Sequence, residues 1–428
     1  MQMRLNVLLA FLVAAGIAAP AGAQTTAFVG GRVIDGTGRV LENATVIVRD
    51  GQIRTVGAAA AVPVPEGATR IDLTGKTLMP GLINAHGHVA ATDGLQSNPA
   101  FYTRENLERQ LRTYADYGVT TVFSLGDDRE AGFVLRNEQG GATLNRARLF
   151  VGGEVITGRT AEEAGAHADR VAAWKPDLLK IRVDDNLGRS PKMPPEAWRA
   201  VLQRANAHGL PLAVHIFYLA DAQALLDAGA AFIGHSVRDV PVDDRFIRDL
   251  KARDVCYCPT LTRELSTFIY DSTPPWVNDP FFLKGVDGEV ARQLADPARQ
   301  AALRASPASA MGQQYKAGLA VATRNLKRLA DAGVRIAFGT DSGPPARFQG
   351  FFEHLELEMM VEAGLTPMQA IVSATGDAAR CWDKAGQLGS IEPGVTADLI
   401  VLDRNPLDDI RHLRAIDSVW IGGVRVVR

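Results

Sequence analysis

The sequence predicts an α/β fold: a (β/α)₈ TIM barrel with a small β-sandwich domain built from both ends of the chain. Three observations carry this expectation. The two ends are strand-rich and alike in pattern, the middle alternates apolar strands with helical stretches, and that alternation recurs eight times. Repeated strand–helix alternation argues for a parallel sheet, and eight units suggest closure into a barrel. The chain has 428 residues, 46% of them hydrophobic, which is enough for a large core. A formal net charge of −2 gives no sign of nucleic-acid binding or of a polybasic membrane surface.

The elements follow in order. Arg4 precedes the apolar run Leu5 to Ala19, Pro20 breaks it, and Ala21-Gly22-Ala23 offers a small-residue cleavage site. The run is short for a spanning helix. Residues 1–23 are therefore expected to be a signal peptide cleaved near Ala23-Gln24, leaving a periplasmic or secreted protein with no membrane attachment. Residues 24–78 and 389–428 are assigned to the sandwich. Ala27 to Ile34, Ala44 to Arg49 and Gln52 to Val56 read as strands, with Asp50-Gly51 as a hairpin turn. Asp398 to Leu402 and Ser418 to Val427 are again strand-like, around a Gly422-Gly423 turn.

Residues 79–388 are assigned to the barrel. Its strand candidates are Gly81 to His86, Thr120 to Leu125, Arg148 to Gly153, Leu178 to Val183, Pro211 to Ile216, Phe232 to His235, Val255 to Thr260 and Arg335 to Thr340. Helices fit between them, for instance Arg104 to Tyr117, Pro195 to His208 and Ala320 to Ala332. Several end in a glycine that stops the helix before the next strand, such as Gly209 and Gly229. Thr262 to Gln314 is too long for an ordinary crossover. It leaves the C-terminal end of the seventh strand, the active-site side of a barrel, so it forms either a lid or pocket wall, or a surface excursion. Three cysteines make no disulfide framework. Cys256 and Cys258 lie two apart on a strand, point the same way, and are expected to be small buried hydrophobes that do not bridge each other.

The chemistry gathers at strand ends. His86-Gly87-His88 closes the first strand, and residues two apart on a strand share a face, so two imidazoles can grip one cation. His215 ends the fifth strand, facing the same way as Ala213, and His235 ends the sixth. In Arg335 to Asp341 the inward set is Ala337, Gly339 and Asp341, with small residues leaving room below the carboxylate. Four His and one Asp make a nitrogen and oxygen donor set suited to zinc and similar ions. Lys180 points inward from the apolar strand Leu178 to Val183. Such a lysine is costly to bury unless it forms a salt bridge or becomes an anionic carbamate by reaction with CO₂.

This arrangement resembles the amidohydrolase superfamily, binuclear subtype. Met79-Pro80-Gly81-Leu82-Ile83-Asn84-Ala85-His86-Gly87-His88 is similar to the family's entry into the first strand. Ile391-Glu392-Pro393-Gly394-Val395-Thr396-Ala397-Asp398-Leu399-Ile400-Val401-Leu402 is similar to its return to the sandwich. Gly339-Thr340-Asp341-Ser342 and the stretch from His354 through Thr375 look closest to the imidazolonepropionase-like branch that includes metal-dependent dipeptidases. The resemblance implies two divalent ions, zinc by donor set. His86, His88 and Asp341 would hold the first, His215 and His235 the second, and N6-carboxylated Lys180 with a water or hydroxide would lie between them. Asp341 and Lys180 then carry catalysis, with Asp341 as the proton shuttle. Tyr218, Arg182, His354 and Arg347 are candidates to touch substrate, Arg182 having a structural ion pair with Asp184 or Asp185 as its alternative.

The implied activity is hydrolysis of an amide or peptide bond in a small molecule, as in a dipeptidase or N-acyl amino acid hydrolase. Ester, lactone or phosphotriester hydrolysis at the same ions is the alternative, and one-metal deaminase chemistry is disfavoured because it needs no bridging lysine. A non-catalytic binding protein would be expected to have lost ligands, and none is missing. No nucleic-acid partner is expected, and a homo-oligomer is left open.

Overall fold

The computed structural model describes residues 25–140 and 144–427; the expected signal peptide, residues 1–23, lies outside them. The two chain ends share one eight-stranded sheet. Thr25–Ile34 pairs antiparallel with Val40–Arg49, which turns back into Gln52–Ala58. The turn residues Asp50 and Gly51 have φ of 53° and 75°, the left-handed pair that a two-residue hairpin requires. Thr77–Pro80, the last strand before the barrel, pairs with Thr25–Ile34 on one side and Leu399–Leu402 on the other. The C-terminal strands thus join the N-terminal sheet through the segment that feeds the barrel. Phe28, Val46, Leu78, Leu399 and Trp420 are buried along it, Phe28 and Trp420 packing edge to face at 5.0 Å.

Leu82–Gly87, Val119–Ser124 and Arg148–Val151 form one parallel set. Leu179–Val183, Leu212–Ile216, Phe232–Gly234 and Cys256–Cys258 form a second. Ile156 joins the sets by donating its N–H to the Lys180 carbonyl at 2.9 Å. The eighth segment, expected as a strand over Arg335 to Thr340, makes only isolated bridges yet closes the ring. The Tyr257 N–H donates to Arg335 O (3.0 Å) and the Ala337 N–H to Tyr257 O (2.9 Å). On the other side, the Ala85 N–H donates to Phe338 O (2.9 Å) and the Thr340 N–H to His86 O (3.1 Å). Among the described residues no helix is long and apolar enough to cross a membrane.

The strands hold together because both faces are covered. Inward, Phe123, Phe232, Ala213 and Ala337 pack around Trp382, whose ring stacks on Phe232 at 4.5 Å and on Phe123 at 5.2 Å. Outward, Val122, Ile181, Val214 and Ile233 meet the helices. Gly209 and Gly229 end their helices in the left-handed conformation, as expected. The segment from Thr262 onward is helical, and its final helix, Pro307–Asp331, starts well before the expected Ala320. Tyr270, Trp276, Phe282 and Leu294 of this segment pack on Tyr117, Phe351 and Phe352, giving it a core of its own.

The cysteine expectation needs one correction. Cys256 does not bridge Cys258, but it forms a disulfide with Cys381, 125 residues further on, with Cα atoms 5.9 Å apart. Only the fold brings Cys381 to the start of the seventh strand, so no spacing rule could show the pair. Cys258 remains a buried free thiol. A cross-link closing so long a loop restricts the unfolded chain, by about 4–5 kcal/mol in the chain-entropy account. Cys381→Ser should therefore lower the melting temperature under non-reducing conditions. An unchanged melting curve would show that the bridge adds nothing to stability.

Candidate active site

The first barrel strand carries an irregularity where it matters. Asn84 pairs with Val122 and Gly87 with Ser124, so three steps on one strand oppose two on its neighbour. This bulge lets Ala85 belong to the barrel interior while His86 turns to the strand-end cavity. Glycine at 339 is what makes room: a Cβ there would lie 2.7 Å from His86 Cβ and 2.6 Å from Cys258 Sγ.

Six side chains meet in a cavity of about 330 Å³: His86, His88, Lys180, His215, His235 and Asp341. Asp341 Oδ1 lies 2.9 Å from His88 Nε2 and 3.5 Å from His86 Nε2. Lys180 Nζ lies 3.3 Å from His86 Nε2. The His235 ring is centred 4.1 Å from His215 and 4.6 Å from His86. His235 Nδ1 is engaged by Thr260 Oγ1 at 2.7 Å and His215 Nε2 by Asp184 Oδ2 at 2.8 Å, which leaves each ring a second nitrogen. Partners of this kind orient imidazoles for an ion. The donor atoms of His86, His88 and Asp341 lie within 4.8 Å of one another, and buried His86 Nδ1 has no hydrogen-bond partner. This set of imidazoles and a carboxylate fits a divalent metal centre.

Burial favours the neutral, coordinating form of three of the four imidazoles, whereas His88, hydrogen-bonded to the Asp341 carboxylate, is raised above the usual imidazole value. Burial holds His215 down at about 3 and holds His86 and His235 well below the usual imidazole range, so all three are neutral. Burial would raise the Asp341 carboxyl, but the Arg347 guanidinium and His88 hold it well below the usual carboxylate range. Burial also brings the Lys180 ammonium down to about 8. Beneath the site Glu353 accepts from Asn84 Nδ2 (2.7 Å), Thr340 Oγ1 (2.7 Å), Ser342 Oγ (2.6 Å) and the Gly350 N–H (2.6 Å). It thereby ties the first strand to the eighth.

The substrate-contact candidates divide. Arg182 and Arg347 line the cavity. Arg347 pairs with Asp341 and donates Nε to Ser266 Oγ at 3.1 Å. Arg182 reaches Asp184 at 3.6 Å and also bonds Asn186. Tyr218 does not line the cavity, and its hydroxyl donates to Asp185 at 2.9 Å. His354 is not brought to the site either: it is buried behind it, its Nε2 2.8 Å from the Tyr117 carbonyl. It lies on the helix Phe351–Glu362, its ring 4.8 Å from that of Phe281 in the long insertion. One lining residue, Arg263, had no sequence signal. It enters from the first turn of the long insertion, pairs with Glu264 at 3.0 Å, and leaves its buried Nε without a partner.

Comparison with known proteins gives the family. The sequence profile of the amidohydrolase family matches residues 77–426. Ochratoxinase from Aspergillus niger is 25% identical over 95% of this chain and 88% of its own length. Imidazolonepropionase from Geobacillus sp. is 24% identical over 91% of both chains. Among solved structures, a putative prolidase from Bifidobacterium longum superposes with a TM-score of 0.78 at 24% identity, covering 95% of each chain. The chain belongs to the amidohydrolase family, and it is a metal-dependent hydrolase of amide or peptide bonds.

Proposed function

We propose that this enzyme is an exported binuclear hydrolase that releases a free amino acid from a dipeptide or an N-acyl amino acid. The observation that carries this reading is the composition of one cavity. Five groups able to hold metal, together with Lys180, share it with three guanidinium groups, those of Arg182, Arg263 and Arg347. Guanidinium groups bind carboxylates in forked pairs, so an anionic end of the substrate can join guanidinium groups that now meet Asp184, Glu264 and Asp341. His86, His88 and Asp341 would hold one ion, and His215 and His235 the other, with Lys180 between the two sets. Bound ions, zinc by donor set, supply Lewis-acid polarisation of the scissile carbonyl and a more acidic water.

The chain's own groups do the rest. The carboxylate of Asp341, already ionised, accepts the proton of the attacking water and delivers it to the leaving nitrogen. Lys180, as its carbamate, would present two oxygens in place of an ammonium, offsetting the positive charge of the centre. Export is supported by the Cys256–Cys381 disulfide, since such bonds persist in oxidising compartments.

Purified enzyme reconstituted with bicarbonate and excess zinc should hold about two ions per chain by elemental analysis. It should cleave members of a dipeptide and N-acyl amino acid panel faster than lactones, and lose activity on chelation. One ion or fewer would overturn the binuclear reading, and faster lactone cleavage the amide reading.

A further inference from the structure

The cavity that holds the metal-ligand groups is the centre of a longer cleft. On one side it shares Thr92, Gly343, Pro344 and Arg347 with a recess of about 500 Å³. On the other it shares Ala91, Ser97, Asp127 and Val155 with a recess of about 670 Å³. A substrate whose scissile bond sits in the centre therefore has room on both sides of that bond.

The two sides differ in chemistry. The mouth of the smaller recess carries an Asp93–Arg109 ion pair at 2.9 Å, with Asp287 and Glu289 beside it. The larger recess is walled by Phe133 and Trp174, ring centroids 5.5 Å apart and tilted by 46°. Trp174 is 54% exposed, whereas Trp198, Trp276, Trp382 and Trp420 are all buried. An indole left in water at the rim of a recess forgoes the burial its size would reward.

The floor of this recess is fixed. Buried Asp128 accepts from Ser124 Oγ (2.6 Å), Tyr102 OH (3.0 Å) and the N–H groups of Gly152 (2.8 Å) and Gly153 (3.3 Å). It pins the loops after the second and third strands to each other. Gly153 keeps the space open, since a Cβ there would stand 2.9 Å from Val171 and 3.5 Å from the Phe133 ring.

We propose that Phe133 and Trp174 form a subsite for an aromatic group of the substrate, attached close to the scissile bond. This rests on the amide-hydrolase reading of the central cavity and adds the substrate's second half. An aromatic group entering past Ala91 and Val155 lies against the exposed face of the Trp174 indole, beside the Phe133 ring, and that face becomes covered. The occupant is a small-molecule ring and not a protein surface, because the recess opens inward to the metal-ligand groups.

The test is binding of 3-phenylpropionate to the metal-loaded enzyme, its affinity read by calorimetry in every variant and its effect on tryptophan emission read in the parent, with propionate as the control. The aromatic acid should shift and quench the exposed Trp174 signal, and propionate should not. Trp174→Ala and Phe133→Ala should each weaken the acid by about tenfold. Both should lower the ratio of kcat/KM for N-benzoyl over N-acetyl substrates by a similar factor. Trp174→Phe, which keeps a ring, should retain most of the affinity, and melting curves confirm that the variants fold. Equal affinity in wild type, Trp174→Ala and Phe133→Ala overturns the subsite even if amides are cleaved. Tight, Trp174-dependent binding without cleavage of any amide supports the subsite and overturns only the reaction assigned to the centre.

Discussion

Replacing Asp341 by Asn should lower turnover by about 10²–10⁴-fold, the usual cost of losing a general base, while the protein stays folded. One carboxylate oxygen sits 2.9 Å from His88 and 3.5 Å from His86 and the other faces Arg347, so the group stands among the ligands and not in packed core. Its backbone has φ of 57°, a left-handed conformation that Asn tolerates as well as Asp. Asn therefore keeps the turn, the volume and a hydrogen-bonding oxygen, and removes the proton acceptor together with the charge that meets Arg347. The checks are kcat on the best amide substrate and the melting curve of the metal-loaded variant. A variant that unfolds, or one that works at the parent rate, would show that Asp341 is structural.

Some of this centre was legible because strand ends leave a periodic trace. Lys180 is the one ionisable residue amid the apolar run Leu178 to Ile181, and His215 follows Ala213 by two, so strand period alone turned both inward. The helix Pro195–His208 was readable to the residue, because Pro starts it and Gly209 stops it. Other features depend on contacts between distant segments and leave no local pattern. The bulge between Asn84 and Gly87 is a matter of pairing with Val122 and Ser124. Arg263 lines the cavity from the turn of helix just past the seventh strand, where no periodic pattern marks it, and Cys381 reaches Cys256 only through the fold. His354 misled for the converse reason. It follows the eighth strand closely in sequence, but helical geometry turns it toward Tyr117. The eighth strand itself reads as continuous, yet it pairs only through isolated bridges, and Asp341 at its end is left-handed.

Lys180→Ala should abolish measurable turnover and weaken metal retention. Lys180 is 3% exposed, and no carboxylate among the described residues forms an ion pair with it. Its Nζ faces the neutral imidazole of His86 at 3.3 Å, and the Asp341 carboxylate, which favours the ammonium, does not outweigh the effect of burial. A bare buried ammonium is expensive. Conversion to a carbamate replaces that charge with an anion facing the histidines, which is the form a cation centre would favour. If so, the alanine variant lacks an anionic oxygen donor and not merely a side chain. Short carboxylic acids such as acetate or propionate, supplied in excess with zinc, could then occupy the vacated space and restore part of the rate. Elemental analysis and kcat with and without the added acid are the measurements. A variant that keeps two ions and the parent rate would show that Lys180 is a structural cation. Loss of activity together with loss of the fold would be separated from this by Lys180→Met, which fills the same volume and should fold yet stay inactive with or without added acid, since it leaves no space for one.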